Sequence, residues 1–267
     1  MPHSPSLENF TLIAHRGSSY DAPENTFEAF DLALANGFDN VETDVQLSSD
    51  GRAVLIHDDK LDRTTDGSGV VTETGIARIK SLNAGMWFEG PEDSVGLKGP
   101  LVYSDAFVPT LDEFCERYAG KLHIHLELKS TQSELAEISK KSLERWDWLD
   151  QHTGDSIAPG VTISSFHFEQ LERSVQVMPS IAHGWLIQEI NDETISKAEQ
   201  LNLSGIYPRA DLVSPEQISQ LTAAGFTVRT WGIGNSRENL ENAYKSGAVG
   251  TTVDWPSQAK DHLESLK

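Results

Sequence analysis

Residues 40–58, NVETDVQLSSDGRAVLIHD, predict two β-strands joined by a tight turn. Apolar and polar residues alternate from 41 to 48, and the run 53–56 is apolar and partly β-branched. Asp50-Gly51 stands between the two runs, and Asp-Gly is the strongest short hairpin signal. If these two residues form the loop, residue 49 pairs with 52, and Asp44 lies opposite His57.

This hairpin carries two carboxylates on one face, because Glu42 and Asp44 are two residues apart on a strand. Hard oxygen ligands suit a divalent cation such as Mg²⁺ or Ca²⁺, and His57 beside them suits proton transfer. The competing interpretation is an ordinary surface hairpin with charged residues on its wet face. The rest of the chain decides between the two.

Composition narrows the class of protein. The chain has 267 residues and a formal net charge of −20, which argues against nucleic acid and anionic membrane surfaces as partners. No apolar run approaches the about 18 residues of a spanning helix, and the first residues lack the pattern of a signal peptide. Cys115 is the sole cysteine, so no intrachain disulfide forms. We therefore expect a cytoplasmic protein without stable membrane association; the oligomeric state is not readable.

Strand and helix patterns alternate along the chain. The strands are predicted at 10–14, 41–48, 122–129, 161–165, 182–187, 204–207, 226–231 and 249–253. The helices are predicted from Pro23 to Gly37, from Thr110 to Gly120, around 135–149, and at 168–178, 192–202, 215–224, 236–246 and 256–265.

The run 53–58 does not belong to this alternation, because a parallel crossover needs a dozen or more residues and only a few separate it from Leu47. It is predicted to fold back as an antiparallel flap. Eight strands then alternate with eight helices, which indicates an α/β fold, the (β/α)₈ TIM barrel. We expect a single domain over 1–267, with an irregular insertion at about 59–109 over the C-terminal mouth.

Active sites of such barrels lie at the C-terminal mouth of the strands. The polar residues that this topology brings there come from three strands and the flap: His15, Arg16, Glu42, Asp44, His57, Glu127 and Lys129. Three carboxylates bind an anion poorly even with a divalent ion, but the guanidinium and the ammonium supply phosphate recognition. The pattern therefore predicts metal-assisted cleavage of a phosphate ester, with two histidines left for acid and base.

The chain resembles the glycerophosphodiester phosphodiesterase family. The matching blocks are IAHRG at 13–17, APENT at 22–26, VETDVQLSSDG at 41–51, VLIHDDKLDRTTDGSG at 54–69, PTLDEF at 109–114, LELK at 126–129, SSF at 164–166 and a degenerate DWP at 254–256. The resemblance implies a TIM barrel that hydrolyses a small-molecule glycerophosphodiester to glycerol 3-phosphate and an alcohol.

Roles carried over from the resemblance fall into three groups. It implies an acid/base pair, metal ligands for one divalent cation (Mg²⁺ or Ca²⁺), and residues that bind phosphate or shape the mouth. These are respectively His15 and His57; Glu42, Asp44 and Glu127; and Arg16, Lys129, Glu24 and Asn25. Trp231, at the end of the seventh barrel strand, is expected either to wall the site or to pack in the core. We favour His57 as the acid.

The sequence departs from the family pattern at three places. Trp231-Gly232-Ile233-Gly234 stands where Trp-Thr-x-Asn is usual, Val253-Asp254 where Thr-Asp is expected, and His125 where Asn is frequent. None of these is a proposed catalytic residue, so they bear on which alcohol is accepted. His123 and His125 are expected to be structural.

Two alternatives stay open. One is a related phospholipase D-like barrel acting on choline- or inositol-bearing lipids, which the acidic composition disfavours. The other is a catalytically idle barrel that binds a glycerophosphodiester or a metal as a sensor. Such a sensor is expected to have lost a histidine or a metal carboxylate.

Overall fold

The computed structural model describes residues 7–94, 96, 102–150 and 156–266. The strands are β1 Thr11–His15, β2 Asn40–Leu47, β3 Ala53–Leu55, β4 His123–Leu128, β5 Gly160–Ser165, β6 Ala182–Ile187, β7 Gly205–Pro208, β8 Thr227–Thr230 and β9 Gly250–Val253. The helices are α1 Phe27–Ala35, α2 Ile76–Ile79, α3 Leu111–Tyr118, α4 Leu135–Arg145, α5 Phe168–Val177, α6 Asp192–Gln200, α7 Pro215–Ala223, α8 Arg237–Lys245 and α9 Pro256–Glu264.

Eight parallel strands close into a barrel in the order β1, β2, β4, β5, β6, β7, β8, β9 and back to β1. The remaining strand, β3, pairs antiparallel with the C-terminal half of β2. A helix follows each barrel strand, with α2 as a further single turn in the insertion. The predicted (β/α)₈ barrel and its flap are therefore confirmed.

Local signals place the helix ends where the sequence predicts them. Thr110 caps α3 in a capping box with Glu113, and Ser214 caps α7 ahead of Pro215. Gly225 follows α7 with a φ of +95°, the left-handed conformation that favours glycine at helix ends. These caps satisfy backbone groups that the helix itself leaves unpaired.

The predicted start of the first helix at Pro23 is wrong. Helix α1 begins at Phe27, and Thr26 is its N-cap, with the Thr26 side chain accepting from the backbone N–H of Ala29. Asn25 just before it has a φ of +55°, a conformation that no helix contains. The residues between Pro23 and Thr26 form a turn that serves the mouth of the barrel instead.

The predicted hairpin register is also wrong by one residue. Leu47 pairs with Ala53 and Val45 with Leu55, so Asp44 lies opposite Ile56 rather than His57. The loop has three residues, and Gly51 occupies it with a φ of +74°, as is common for three-residue hairpins.

A long-range contact explains the extra loop residue. Asp50 accepts hydrogen bonds from the Ser48 hydroxyl at 2.7 Å and from the backbone N–H of Ile76 at 2.9 Å. The turn is therefore tied to the insertion, and its length follows from tertiary packing rather than from the Asp-Gly pair alone.

The insertion packs on the flap at the C-terminal side of β2. Its described residues share a small hydrophobic core with the hairpin, formed by Val54, Ile56, Leu61, Val71, Ile79, Leu82, Ala84 and Val108. The backbone N–H of Leu55 also donates to the carbonyl of Pro109 at 2.8 Å. Residues 95 and 97–101 of the predicted insertion lie outside the described residues.

Apolar side chains fill the layer between barrel and helices, and polar ones fill the barrel itself. Cys115 on α3 is fully buried in the outer layer, where its carbonyl accepts from the indole N–H of Trp148. Inside the barrel, His123 is hydrogen bonded to Thr162 and His125 to Asn40, as expected of structural histidines. In the described part of the chain, no helix combines the length and apolar character needed to span a bilayer.

Candidate active site

Three buried carboxylates meet at the C-terminal mouth. Glu42 and Asp44 lie on β2, and Glu127 on β4 is the register partner of Asp44. One oxygen from each lies within 4.8 Å of the others. The predicted convergence of these residues is therefore present in the fold.

The three carboxylates of this cluster repel one another when no metal cation is bound. Burial, and then the charge of Asp44, raises the pKa of Glu42 to about 8, and the same two causes raise the pKa of Glu127. Burial also acts to raise the pKa of Asp44, but Arg16 and Lys129 hold it well below its usual range. One Asp44 oxygen, Oδ1, is buried and accepts no hydrogen bond from the described residues. Three carboxylates are hard oxygen donors, and the buried Asp44 Oδ1 has no hydrogen-bond partner among the described residues. The cluster therefore fits an ion such as Mg²⁺ or Ca²⁺.

Two cations face the cluster. Arg16 follows β1 with a left-handed φ of +55°, which turns its backbone N–H onto Glu42 Oε2 at 3.2 Å. Its Nε lies 3.2 Å from Asp44 Oδ2. Lys129 Nζ donates to Glu127 Oε1 at 2.9 Å and lies 3.6 Å from Asp44 Oδ1. A guanidinium and an ammonium therefore flank the place where a cation would bind.

Glu24 and Asn25 hold these groups in position. Asn25 donates to Asp44 Oδ2 at 3.0 Å and accepts from the Thr43 hydroxyl at 2.7 Å. Glu24 accepts from Arg16 Nη1 at 2.9 Å. Both residues lie behind Arg16 and Asp44, and neither lines the cavity that holds the two histidines.

His15 forms a pair with Asp254 across the seam between β1 and β9. Its Nδ1 lies 2.5 Å from Asp254 Oδ1, and its Nε2 lies 3.7 Å from Glu42 Oε2. Burial and Arg16 act to lower the pKa of His15, but Asp254 and Glu42 outweigh them and leave it above 6.5. Asp254 also accepts from the Ser19 hydroxyl at 3.3 Å.

His57 forms a second pair, with Asp58, and Arg63 neutralises the carboxylate of this pair. His57 Nδ1 lies 2.7 Å from Asp58 Oδ1. Arg63 donates to the same carboxylate, from Nε to Oδ2 at 2.7 Å and from Nη2 to Oδ1 at 2.9 Å. Arg63 also donates to both oxygens of Glu24, at 2.6 and 2.8 Å. Burial is the largest cause of a lowered pKa for His57. A continuous chain of charged contacts thus joins Arg16 to His57.

The flap reaches the site although its strand ends at Leu55. Gln46, fully buried on β2, donates through Nε2 to the carbonyls of Ile56, His57 and Asp58 at 3.0, 3.1 and 2.8 Å. The chain therefore leaves strand geometry after the flap, and Gln46 fixes its path.

A cavity of about 290 Å³ opens beside these groups and takes in both histidines, Arg16 and Lys129. One wall is aromatic: Phe166 and Trp231 meet edge to face with ring centroids 4.9 Å apart. Trp231 donates its indole N–H to the carbonyl of Ile187 at 3.3 Å. Trp231 therefore lines the cavity.

Sequence reasoning missed the partners of the two histidines. In the sequence, Asp254 belongs to a degenerate block, and Asp58 and Arg63 stand in the block 54–69 with no pattern that assigns them a role. The signal available was an aspartate directly after His57 and an arginine five residues beyond it. Arg229, a further cavity residue from β8, carried no signal in the strand pattern.

Comparison with known proteins finds a family match over most of the chain. A family model described as the Glycerophosphoryl diester phosphodiesterase family matches residues 15–257. A glycerophosphodiester phosphodiesterase of Caldanaerobacter subterraneus subsp. tengcongensis is 30% identical over 249 residues, which cover 92% of this chain and 94% of that protein. One from Bacillus subtilis is 28% identical over 258 residues, covering 94% and 85% respectively.

Among solved structures, an Oleispira antarctica phosphodiesterase in complex with the product sn-glycerol-3-phosphate superposes with a TM-score of 0.80. Its sequence is 30% identical, and the match covers 95% of this chain and 96% of that one. The likeness therefore extends over the barrel and its mouth together.

Proposed function

The chain belongs to the glycerophosphoryl diester phosphodiesterase family and is a phosphoric diester hydrolase, and we propose that it cleaves glycerophosphodiesters with one divalent cation and two histidines. The products are glycerol 3-phosphate and an alcohol. The observation that carries this proposal is the convergence, in one cavity, of a three-carboxylate cluster, two cations and two aspartate-paired histidines.

Glu42, Asp44 and Glu127 would hold the cation, Mg²⁺ or Ca²⁺. When bound, it would neutralise charge on the phosphoryl oxygens and favour deprotonation of a nearby hydroxyl. With Arg16 and Lys129 added, the cluster gains enough positive charge to attract a phosphate. Arg16 offers a planar pair of donors and Lys129 a compact charge, so together they orient the phosphate between the histidines. Trp231 walls the organic part of the substrate.

The two histidines differ in the compensation of their aspartates. Asp58 forms a salt bridge with Arg63, whereas among the described residues the Asp254 carboxylate is hydrogen bonded only to His15 and the Ser19 hydroxyl. Because no arginine is bound to it directly, Asp254 stabilises a protonated His15 more strongly than Asp58 stabilises a protonated His57. A cation at Glu42 would remove that residue's contribution but leave Asp254 in place. We therefore assign His15 as the general acid and His57 as the base, the reverse of the assignment that the sequence favours.

The reaction then needs one proton taken and one given. His57 Nε2 accepts a proton from the neighbouring glycerol hydroxyl, or from a water, as that oxygen forms a bond to phosphorus. The bond from phosphorus to the alcohol oxygen breaks, and His15 Nε2 donates its proton to the leaving alkoxide. If the glycerol hydroxyl attacks first, water opens the resulting cyclic phosphate with the two roles exchanged.

A metal experiment tests the first half of the proposal. Protein freed of cations with a chelator should lose activity in a coupled glycerol 3-phosphate assay and regain it with Mg²⁺ or Ca²⁺. Glu42→Ala should show neither activity nor cation binding by calorimetry. Full turnover in chelator, or undiminished cation binding by the variant, would contradict the cluster assignment.

A leaving-group experiment tests the histidine roles. General acid help is worth about 10²–10⁴-fold for a poor leaving group such as choline, and little for nitrophenol, which departs without a proton. His15→Ala should therefore recover much of its rate on a nitrophenyl diester that keeps the glycerol hydroxyl, and His57→Ala should not. Recovery in His57→Ala instead would reverse the roles.

Three broader expectations belong to the same proposal. We infer that residues 1–267 form one domain with 59–109 as its insertion, because the described strands close on a single barrel. We also propose a cytoplasmic enzyme without nucleic-acid or stable membrane partners, on the acidic composition and lone cysteine. Both histidines and all three carboxylates are present, which favours catalysis over a sensor that only binds.

A further inference from the structure

Arg229 is a buried cation that the proposed chemistry does not use. Its side chain rises from β8 inside the barrel and is only 4% exposed. Among the described residues, no carboxylate oxygen lies within 4.0 Å of it, and its recorded partners are neutral. They are His125, which accepts from Nη1, and the ring of Tyr207, which lies 4.0 Å from the guanidinium carbon. A buried charge without a counter-charge is costly, so its presence needs an explanation.

The fold makes a seat for this arginine. Gly184 and Gly205 are register partners on β6 and β7. A Cβ at Gly184 would stand 1.9 Å from the Tyr207 ring, and one at Gly205 would stand 2.5 Å from it. Only glycines therefore let Tyr207 lie flat across the two strands. The guanidinium stacks on the ring that is held this way.

His125 does not neutralise the arginine either. Its Nε2 faces the side-chain oxygen of Asn40 at 3.0 Å and donates to it, which leaves Nδ1 without a proton to accept the hydrogen bond from Arg229. Arg229 Nε is buried and donates to no group of the described residues. Among the described residues, the guanidinium therefore has no counter-charge, and its Nε–H has no acceptor.

Arg229 lines the same cavity as Lys129 and the two histidines. The cations at the mouth are already paired, Arg16 with Glu24 and Asp44, and Lys129 with Glu127. If the phosphate of a diester binds at the mouth, the alcohol part of that diester would extend along the aromatic wall into this cavity. The inner charge that this part meets is that of Arg229.

We propose that Arg229 binds an anionic oxygen group on the alcohol part of the substrate, so that the enzyme prefers glycerophosphodiesters whose head group carries a carboxylate or a second phosphate. This inference rests on the proposed function and adds a substrate class to it. A quaternary ammonium head group such as choline would meet the guanidinium unfavourably, and Arg229 already covers a face of Tyr207.

Two diesters that differ by a single carboxylate provide the test. Glycerophosphoserine carries a carboxylate on the carbon that bears the amine, and glycerophosphoethanolamine has hydrogen there. A hydrogen bond to a charged group supports a preference of about 10- to 100-fold in kcat/KM for the serine diester. Equal kcat/KM values, or a preference for ethanolamine, would overturn the inference and leave the phosphodiesterase assignment intact. Hydrolysis of neither diester would count against the proposed function itself.

Substitution localises the preference to the residue. Arg229→Met should collapse the serine-over-ethanolamine ratio toward one, and Arg229→Lys, which keeps the charge, should retain part of it. Arg209→Met is the matched control, because Arg209 also faces Trp231 but is only partly buried and is paired with Asp211. An unchanged ratio in folded Arg229→Met, or an equal fall in Arg209→Met, would place the recognition elsewhere. The wild-type comparison decides the question even where a variant does not fold.

Discussion

At the scale of single residues, the proposed site depends on partners that lie behind the groups we assign to phosphate binding and proton transfer. Arg63 is half-exposed, yet it makes four hydrogen bonds that connect the carboxylates behind Arg16 and His57. Its removal would leave Glu24 and Asp58 without their shared counter-charge. The positions of both Arg16 and His57 therefore depend on one side chain.

We expect Arg63→Met to lower kcat about 10- to 100-fold, because small displacements of reacting groups cost that much. KM should change less, since Arg63 does not face the cavity. Arg63→Lys should restore part of the rate, and Arg52→Met, at the exposed hairpin turn, serves as the control. Steady-state kinetics showing a loss in KM alone would mean that Arg63 acts on binding rather than on orientation.

The aspartate partners predict a pH profile. A neutral base requires His57 to lose its proton, so the acid limb of kcat/KM follows its lowered pKa. A protonated acid requires His15 to keep its proton, so the alkaline limb follows its raised pKa. Asp254→Asn should lower the pKa of His15 and move the alkaline limb to lower pH, while Asp58→Asn should move the acid limb. If Asp254→Asn moved the acid limb instead, His15 would be the base.

How far the sequence predicts the site can be judged at this scale. His15, Glu42 and Glu127 were recognisable because parallel strands deliver their ends to one mouth, a rule that needs only strand order. Arg63 meets Glu24 across 39 residues through two irregular loops, and loop paths follow no periodicity. The strand pattern does not distinguish Arg229 from other polar strand residues, because its burial depends on residues of β6 and β7 that are distant in sequence.

At the scale of elements, the flap shows the same limit. Alternation predicted its strands and its antiparallel direction, but the loop has three residues because Asp50 also caps the backbone of Ile76. The first helix starts four residues late for a similar reason, since Asn25 is needed against Asp44. Both errors arise where a distant contact overrides a strong local signal.

Gln46 is predicted to control the flap. Gln46→Leu removes three hydrogen bonds to the backbone of 56–58 without changing side-chain size much, so His57 should lose its fixed position. We expect kcat to fall at least about tenfold. Gln217→Leu, which breaks the capping box of α7 far from the mouth, controls for general loss of stability. Equal kinetics in the two variants would show that Gln46 is merely structural.

At the scale of the whole molecule, the carboxylate cluster couples stability to pH and to cations. Glu42 has a folded-state pKa of about 8 against an ordinary 4.5, and that of Glu127 is also raised. The folded protein therefore binds more protons than the unfolded chain between these values, and it loses stability as pH rises through them. Asp44 acts in the opposite sense, but its low pKa places that effect at more acidic pH.

Cation-free protein should accordingly show a Tm that falls between about pH 5 and 8 from this cluster. A Mg²⁺ or Ca²⁺ concentration about 100 times the Kd at pH 8 should raise Tm by about 5 °C or more at that pH, and the same concentration should raise it by less at pH 5, where protonated carboxylates bind the cation more weakly. Glu42→Gln should flatten the pH dependence and weaken the cation effect. Scanning calorimetry that found the same cation shift at both pH values would contradict a site built on these carboxylates.

The burial of Cys115 allows the rate at which this fold opens to be measured by chemical labelling. It is the chain's single thiol, it lies on the inward face of α3 with no exposed surface, and burial raises its pKa. An alkylating reagent can therefore react with it only after the outer layer opens. Mass spectrometry after timed labelling would then give the opening rate of the intact protein at a single known atom, with no engineered probe.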